Sequence, residues 1–329
     1  MKAFLTGGTG LIGSHVADRL RSRGDEVVAL VRASSDTAHL ESLGCELMVG
    51  DVLDPVAELA ARIRGCDAVV HGAATVLRPR RRRAVHRVNV GGTERVLEAA
   101  GRVAPRVVHL SSVAVYAGLP MDRPLTEARW TEADPSRQSA YASSKHLSER
   151  AAWRLHDRGD IRLTTVRPSV VYGERDRSAT PIFVRVAKRR IVPLIDGGRR
   201  TVPVVYAGNV ARGIVAALDR DDAVGRAYNL GRDVPVTARE LTRLFGEGLV
   251  GRAPRVIRVP YAPAAAVTWT LEKATRLIPV VPMVDLHRAA RSMARDNPYD
   301  SSRARLELGW TGLVPHAEGV RRTIRWWEG

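Results

Sequence analysis

The sequence predicts an α/β protein: a Rossmann-type doubly wound parallel sheet with a smaller C-terminal substrate-binding domain. Three observations predict it. The chain has 329 residues, enough to bury a large core as one large domain or two unequal ones. Residues 1–5 form a short apolar run that breaks into the spaced glycines Gly7, Gly10 and Gly13 and resumes as a helix over residues 14–23. Short apolar runs then alternate with helical stretches as far as residue 167, the signature of parallel strands joined by crossover helices.

Each element has a reason of its own. In the first turn, Gly7 permits a bend that a side chain would block. Gly10 lets the backbone approach a pyrophosphate, and Gly13 lets the helix pack close to the strand. The helix N-terminus then offers unpaired N–H groups and partial positive charge to phosphates. Thr9, Leu11 and Ile12 belong to this expected phosphate cradle. Residues 26–31 read as a second buried strand, ended by Arg32. That position follows the glycines by about twenty residues, where an acid would bind a free ribose 2′-hydroxyl and an arginine a 2′-phosphate. Arg32 thus points to NADP, with NAD the alternative, and Ser34 and Ser35 stand ready to add hydrogen bonds. A surface arginine turned to water is the plainer alternative.

Residues 45–49 are a third strand, ending at Asp51 and Val52. Asp51 is expected either to accept from an adenine amino group or to belong to a loop. Residues 67–71 are a fourth strand, and the small Ala73 and Ala74 beyond it leave room for a cofactor. His71 reads as a packed, hydrogen-bonded histidine. Residues 78–83 are an arginine-rich loop expected to repel itself and stay mobile, and residues 84–102 a helix carrying Asn89. Residues 106–110 are a fifth strand that delivers Ser111 and Ser112 at its carboxyl end, where such sheets bind ligands.

Bulk properties exclude several classes. The longest uncharged apolar stretch, residues 259–271, is too short and proline-rich to span a bilayer. The chain opens on its first strand, so no signal peptide is expected. Cys45 and Cys66 make neither a disulfide framework nor a metal site, and a reducing, cytoplasmic setting is expected. The net charge is +17, supplied almost wholly by arginine. No nucleic-acid reading module accompanies it, so nucleic acid is not expected as a partner.

The chemistry lies in the helix predicted over residues 135–157. Tyr141 and Lys145 are four apart and share one face. A phenol has a pKa of about 10, and a nearby ammonium is expected to lower it. Tyr141 would then exchange a proton with a substrate oxygen while hydride moves at the adjacent carbon. The Ser112 hydroxyl would hold that oxygen, and Lys145 would also hydrogen-bond a nicotinamide ribose.

The chain resembles an extended short-chain dehydrogenase/reductase of the NAD-dependent epimerase/dehydratase type, nearly end to end. Thr6-Gly-Gly-Thr-Gly-Leu-Ile-Gly13, Gly50-Asp51, His71-Gly-Ala-Ala74, Val88-Asn-Val-Gly-Gly-Thr93, Ser111-Ser-Val-Ala-Val-Tyr116 and Tyr141-Ala-Ser-Ser-Lys145 stand in that family's order. So do Arg167-Pro-Ser-Val-Val-Tyr-Gly173, Tyr228-Asn-Leu230 and the segment from Tyr299 to Trp310. The resemblance implies Ser112, Tyr141 and Lys145 as the catalytic set and contacts from Pro168 and Val171 to the nicotinamide side. It implies a nucleotide domain over 1–168 with 202–230 returning to it, a substrate domain over 169–201 and 231–329, and a homodimer through the helices near 84–102 and 135–157.

The branch is read from departures. Ser169 stands where sugar-nucleotide enzymes often carry Asn, and their diphosphate-binding arginine is missing near Val204. The Arg167-Pro-Ser form and Val31-Arg32 look more like dihydroflavonol reductases and 3β-hydroxysteroid dehydrogenases. An oxidoreductase acting on a small, partly apolar carbonyl or alcohol is therefore expected, with Trp153, Trp269 and Trp310 as candidate pocket walls. A sugar-nucleotide epimerase or dehydratase with recycled cofactor is the alternative, and a catalytically silent NADP-binding regulator a third reading. The apolar residues 260–271 would line a substrate cleft, lie on a membrane surface, or form a core helix.

Overall fold

A computed structural model describes residues 1–75, 82–103, 106–265, 294–311 and 313–329. The N-terminal run is β1 (Lys2–Thr6), α1 (Leu11–Ser22), β2 (Glu26–Val31), α2 (Ala38–Ser42), β3 (Glu46–Val49), α3 (Val56–Ile63) and β4 (Ala68–His71). Then come α4 (Arg82–His86), a π-helical turn at Arg87–Gly91, α5 (Gly92–Val103), β5 (Arg106–Leu110), α6 (Ala140–Asp157) and β6 (Arg162–Pro168). Residues beyond supply β7 (Val170–Tyr172), α7 (Thr180–Ala187), β8 (Ile191–Ile195), β9 (Val204–Tyr206), α8 (Ala207–Asp219) and β10 (Arg226–Leu230). The chain closes with α9 (Ala238–Val250), β11 (Arg255–Val259), α10 (Ser302–Leu308) and α11 (His316–Glu328).

Seven strands form one sheet in the order β10-β6-β5-β4-β1-β2-β3, with every neighbouring pair parallel. This is the doubly wound sheet the sequence predicts. Its strands are apolar on both faces because helices cover both. Alternation sorts the side chains: Ala3 and Leu5 of β1 and Val27, Ala29 and Val31 of β2 meet α1, α8 and α10 on one face. Phe4, Val28 and Leu30 point the other way, to Leu59, Val96, Leu97 and Leu155 of α3, α5 and α6. Two small parallel sheets, β7 with β9 and β8 with β11, lie outside it. A third core of Tyr172, Tyr206, Phe245, Val320 and Ile324 ties β7 and β9 to α9 and α11.

Some boundaries differ from the sequence reading, each for a local reason. The first helix starts at Leu11 rather than residue 14, because Gly10 in extended conformation (φ −88°, ψ 170°) is its cap. The chemical helix starts at Ala140, where the Ser139 hydroxyl accepts from the Ala142 N–H, and residues 135–137 form a separate 3₁₀ turn. The basic loop is not wholly loop. Arg82 and Arg83 are helical, and Arg82 donates to the Gln138 carbonyl and the Ser143 hydroxyl on the α6 side. Arg78 to Arg81 lie outside the described residues, as do Trp269 and residues 266–271 of the apolar stretch.

Candidate active site

Strand order reverses between β1 and β4, so their carboxyl ends leave a crevice. The glycine turn fills its floor. Gly7 sits at φ +75°, and a Cβ there would come within 2.7 Å of the Ala73 nitrogen. A Cβ on Gly13 would strike the Gly7 carbonyl oxygen. Gly10 differs: a Cβ there would meet only the Gly7 oxygen, at 3.3 Å. The α1 N-terminus has no side-chain cap and no acid in its first turn, so its leading N–H groups face the crevice without a competing anion. This cradle has no room for side chains at two of its glycines and only a tight approach to backbone at the third, and it fits the pyrophosphate of a dinucleotide.

Two buried threonines and a histidine brace the turn. The Ala73 N–H donates to Thr6 Oγ1 at 3.2 Å, and Thr6 Oγ1 lies 2.8 Å from His71 Nδ1. His71 Nε2 is 3.0 Å from Thr93 Oγ1, which donates to the Asn89 carbonyl at 2.6 Å. The chain of donors assigns the proton to His71 Nε2. Burial, with His109 and Lys145 nearby, holds the His71 pKa well below the usual histidine value. His71 is the packed histidine expected, braced against the phosphate turn.

The chemical groups converge from β5 and α6. Ser112 follows β5 and caps a 3₁₀ turn, its Oγ accepting from the Ala114 N–H at 3.1 Å. Its hydroxyl also hydrogen-bonds Tyr141. One helical turn on, Lys145 is 4% exposed, and its Nζ donates to the Leu110 carbonyl at 2.8 Å. Burial lowers the Lys145 pKa to about 8, against the pull of the Glu149 carboxylate. Burial raises the Tyr141 pKa, and the hydrogen bond from Ser112 opposes the rise. The expectation that Lys145 lowers the phenol's pKa is therefore corrected. The ammonium is aimed at a backbone carbonyl, and desolvation dominates at Tyr141.

A cavity of about 600 Å³ joins the cradle to these groups. Of the residues singled out in the sequence, Gly7, Gly10, Leu11, Ile12, Ala74, Ser112, Tyr141, Lys145, Pro168 and Val171 line it. Met121, Ser169, Val170, Ser178, Pro203 and Tyr299 complete the end beyond Tyr141 and Pro168. Among the described lining residues, Lys145 is the one charged side chain.

Six candidates stand off that wall. Thr9 and Arg32 are exposed, Arg32 just past the end of β2. Asp51 Oδ1 accepts from the Leu53 N–H at 2.9 Å, which ties it to its own loop. Val52 and Ala73 pack into the core on the α3 and α5 face. Asn89 is buried in the π turn, where Oδ1 accepts from the Thr75 N–H at 2.8 Å and Nδ2 donates to Ser144 Oγ at 2.9 Å. It joins the β4 end to α6. Trp153 and Trp310 are not pocket walls: their indole N–H groups donate to Glu149 and to the Asn209 carbonyl.

Sequence reasoning missed the polar cluster beneath the site. Arg167 and Glu149 are both fully buried and paired, with Arg167 Nε 3.0 Å and 3.1 Å from the two carboxylate oxygens. Ser111 Oγ donates to Glu149 at 2.5 Å, and Arg167 Nη1 to the Tyr116 hydroxyl at 2.6 Å. Tyr116 donates to Asn229 Oδ1 at 2.7 Å, and Asn229 Nδ2 to the Leu125 and Asp300 carbonyls. A signal was present. Arg167 stands in an apolar strand and needs a buried partner, and Glu149 repeats the Tyr141–Lys145 spacing.

Comparison with known proteins agrees with this geometry. A 4-hydroxy-2-methyl-3-oxo-4-farnesyl-3,4-dihydroquinoline-1-oxide ketoreductase from Stigmatella aurantiaca is 31% identical over 324 residues, 97% of this chain and 95% of that protein. A 2-alkyl-3-oxoalkanoate reductase from Shewanella oneidensis is 26% identical over 337 residues, 97% of this chain and 84% of that one. The crystal structure of gox2253 matches with a TM-score of 0.81 at 26% identity, over 99% of this chain and 97% of its own. The family model for the NAD dependent epimerase/dehydratase family matches residues 3–231. With its glycine cradle, doubly wound sheet and strand-end serine, this chain belongs to the NAD-dependent epimerase/dehydratase family.

Proposed function

We propose that the protein is an NADP-preferring oxidoreductase acting on the carbonyl/alcohol pair of a small, partly apolar substrate. One observation carries the reading: the cavity that joins the phosphate cradle to Ser112 and Tyr141 is walled by apolar and small residues, with Lys145 its one charged lining residue among those described. A nucleoside diphosphate sugar would bring two more negative charges into that cavity, and a buried anion needs paired cations. A neutral carbonyl compound needs only a hydrogen-bond donor at its oxygen. The two reductases that resemble the chain act, by their names, on carbonyl compounds with alkyl or farnesyl substituents.

When bound, the nicotinamide supplies or accepts the hydride. The chain's own residues do the rest. Gly10, Leu11 and Ile12 present backbone to the pyrophosphate, and Arg32 reaches from the end of β2 to the 2′-phosphate. Asp51 and Val52 border the adenine, Ala73 and Ala74 leave space beside the strand ends, and Asn89 fixes the β4 end. Pro168 and Val171 flank the nicotinamide. Ser112 fixes the substrate oxygen, and Tyr141, kept protonated by its raised pKa, donates the proton in the direction of reduction. Lys145 turns from the Leu110 carbonyl to the nicotinamide ribose. The nucleotide domain comprises 1–168 with 202–230, and the protein pairs as a homodimer through the helices near 84–102 and 135–157.

Titration calorimetry with NADP and NAD, on the parent and on Arg32→Ala, tests the cofactor. NADP preference that collapses in the variant is expected, and NAD preference indifferent to Arg32 would contradict it. The substrate class is tested by incubating the enzyme with NADPH and a panel of alkyl ketones and 3-oxoalkanoates, and separately with UDP-glucose. Net NADPH loss with the ketones is expected. Interconversion of the nucleotide sugar without net loss would replace the reading with the epimerase or dehydratase one.

A further inference from the structure

The small β8/β11 sheet carries features the active site does not use. Its two strands run parallel in the register Arg255↔Ile191, Ile257↔Pro193 and Val259↔Ile195. One face alternates outward, leaving Ile191 49% and Ile257 46% exposed. At the amino end of both strands sit two basic turns. Lys188, Arg189 and Arg190 lead into β8, Arg252 precedes β11 and Arg255 opens it, all exposed. The Arg255 N–H donates to the Arg190 carbonyl at 2.9 Å, so the turns are side by side.

None of these five cations has an ion-pair partner among the described residues, whereas Glu247 and Asp196, the acids nearest them in sequence, are already taken. Glu247 is held by Arg243 at 2.6 Å and Asp196 by Arg258 at 3.2 Å. The same end of the molecule carries more apolar surface. Val250 ends α9 at 37% exposure. Ile324 of α11 packs on Gly248, and the exposed Trp326 and Trp327 follow it.

We propose that this end of the molecule docks on the surface of a bilayer containing anionic phospholipid. Unpaired cations beside exposed Ile, Val and Trp match that interface in both respects. Basic residues meet the lipid phosphates, and branched and indole side chains enter the headgroup boundary. The contact is peripheral, since no helix among the described residues is long and apolar enough to cross a membrane. Each cation contributes about a fivefold factor to partitioning, and the attraction is screened by salt.

Co-sedimentation of the full chain with phosphatidylcholine vesicles, with and without phosphatidylglycerol, tests the proposal. Binding to the anionic vesicles alone is expected, weakening as salt rises. The triple variant Arg189→Glu, Arg190→Glu, Arg255→Glu is expected to lower partitioning at least about a hundredfold, since each change removes a cation and adds an anion, with an unchanged thermal unfolding curve. The pair Ile191→Ser, Ile257→Ser is expected to leave a weaker interaction that salt removes entirely. No binding to anionic vesicles, equal binding to neutral ones, or partitioning that survives the triple variant would overturn the proposal. Binding of a random-sequence RNA through these arginines without vesicle binding would overturn it too, and would assign the face to nucleic acid.

Discussion

Lys145 and Tyr141 hold opposite ends of one electrostatic arrangement. Burial destabilises both charged forms, so the ammonium titrates at about 8 and the phenol above its usual value. Lys145 is therefore charged below about pH 8 and loses its proton above it, while Tyr141 stays protonated across that range. If reduction needs the ammonium, kcat/KM falls as pH rises through about 8, and Lys145→Met removes that limb of the profile along with most of the activity. A pH–rate profile of both proteins checks this; a flat profile through pH 8 in the parent would contradict it. Glu149 raises the Lys145 pKa, so Glu149→Gln moves the limb to lower pH. It also leaves Arg167 unpaired in the core, at a cost of about 3–5 kcal/mol, read as a drop in the urea midpoint. The placing of Tyr141 and Lys145 at one cavity was legible because helix geometry alone puts residues four apart on one face. The pKa of Tyr141 was not, because desolvation depends on what covers the phenol. His71 was legible as a packed residue, since a histidine ending a buried strand must find partners.

The glycine turn makes a prediction at the scale of an element. Gly13 touches the Gly7 carbonyl region so closely that a methyl group has no space, while a methyl on Gly10 would meet only the Gly7 oxygen, at 3.3 Å. Gly13→Ala is thus expected to destabilise the fold by several kcal/mol, within the range for overpacking and strain. Gly10→Ala is expected to cost far less stability than Gly13→Ala, since its single tight contact is at 3.3 Å, and to weaken cofactor binding at least tenfold, because the methyl occupies the pyrophosphate's approach. Unfolding curves and calorimetry of the two variants check this; equal loss of binding with equal stability would contradict it. The strands and helices of the sheet were legible from alternation and length. The π turn at Arg87–Gly91 was not, because its cause is tertiary: Asn89 must reach both Thr75 and Ser144. The β7/β9 and β8/β11 pairs were also hidden. Each is short, and each joins segments distant in sequence, so no local pattern announces it.

At the scale of the molecule, the arginine excess and the site are separate matters. The net charge is +17, yet one cation among the described residues lines the cavity. Charge therefore says little about the reaction, and the cavity wall says more. The sequence motifs spread from Tyr116 to Tyr299 look unrelated in the linear chain. Folded, they are one hydrogen-bonded cluster, because Asn229 links Tyr116 to the Leu125 and Asp300 carbonyls. Their meeting could not be read from spacing, since it depends on β10 joining β6 in the sheet. The proposed reaction is net hydride transfer to a carbonyl carbon with Tyr141 as the proton donor. Its most direct test is transfer of deuterium from C4-labelled NADPH to an alkyl ketone, followed by mass spectrometry of the product alcohol, for the parent and Tyr141→Phe. Stoichiometric label on the carbinol carbon and a rate at least about a hundredfold lower in the variant are expected. Label retained in the cofactor with every carbonyl offered, or full transfer by Tyr141→Phe, would contradict it.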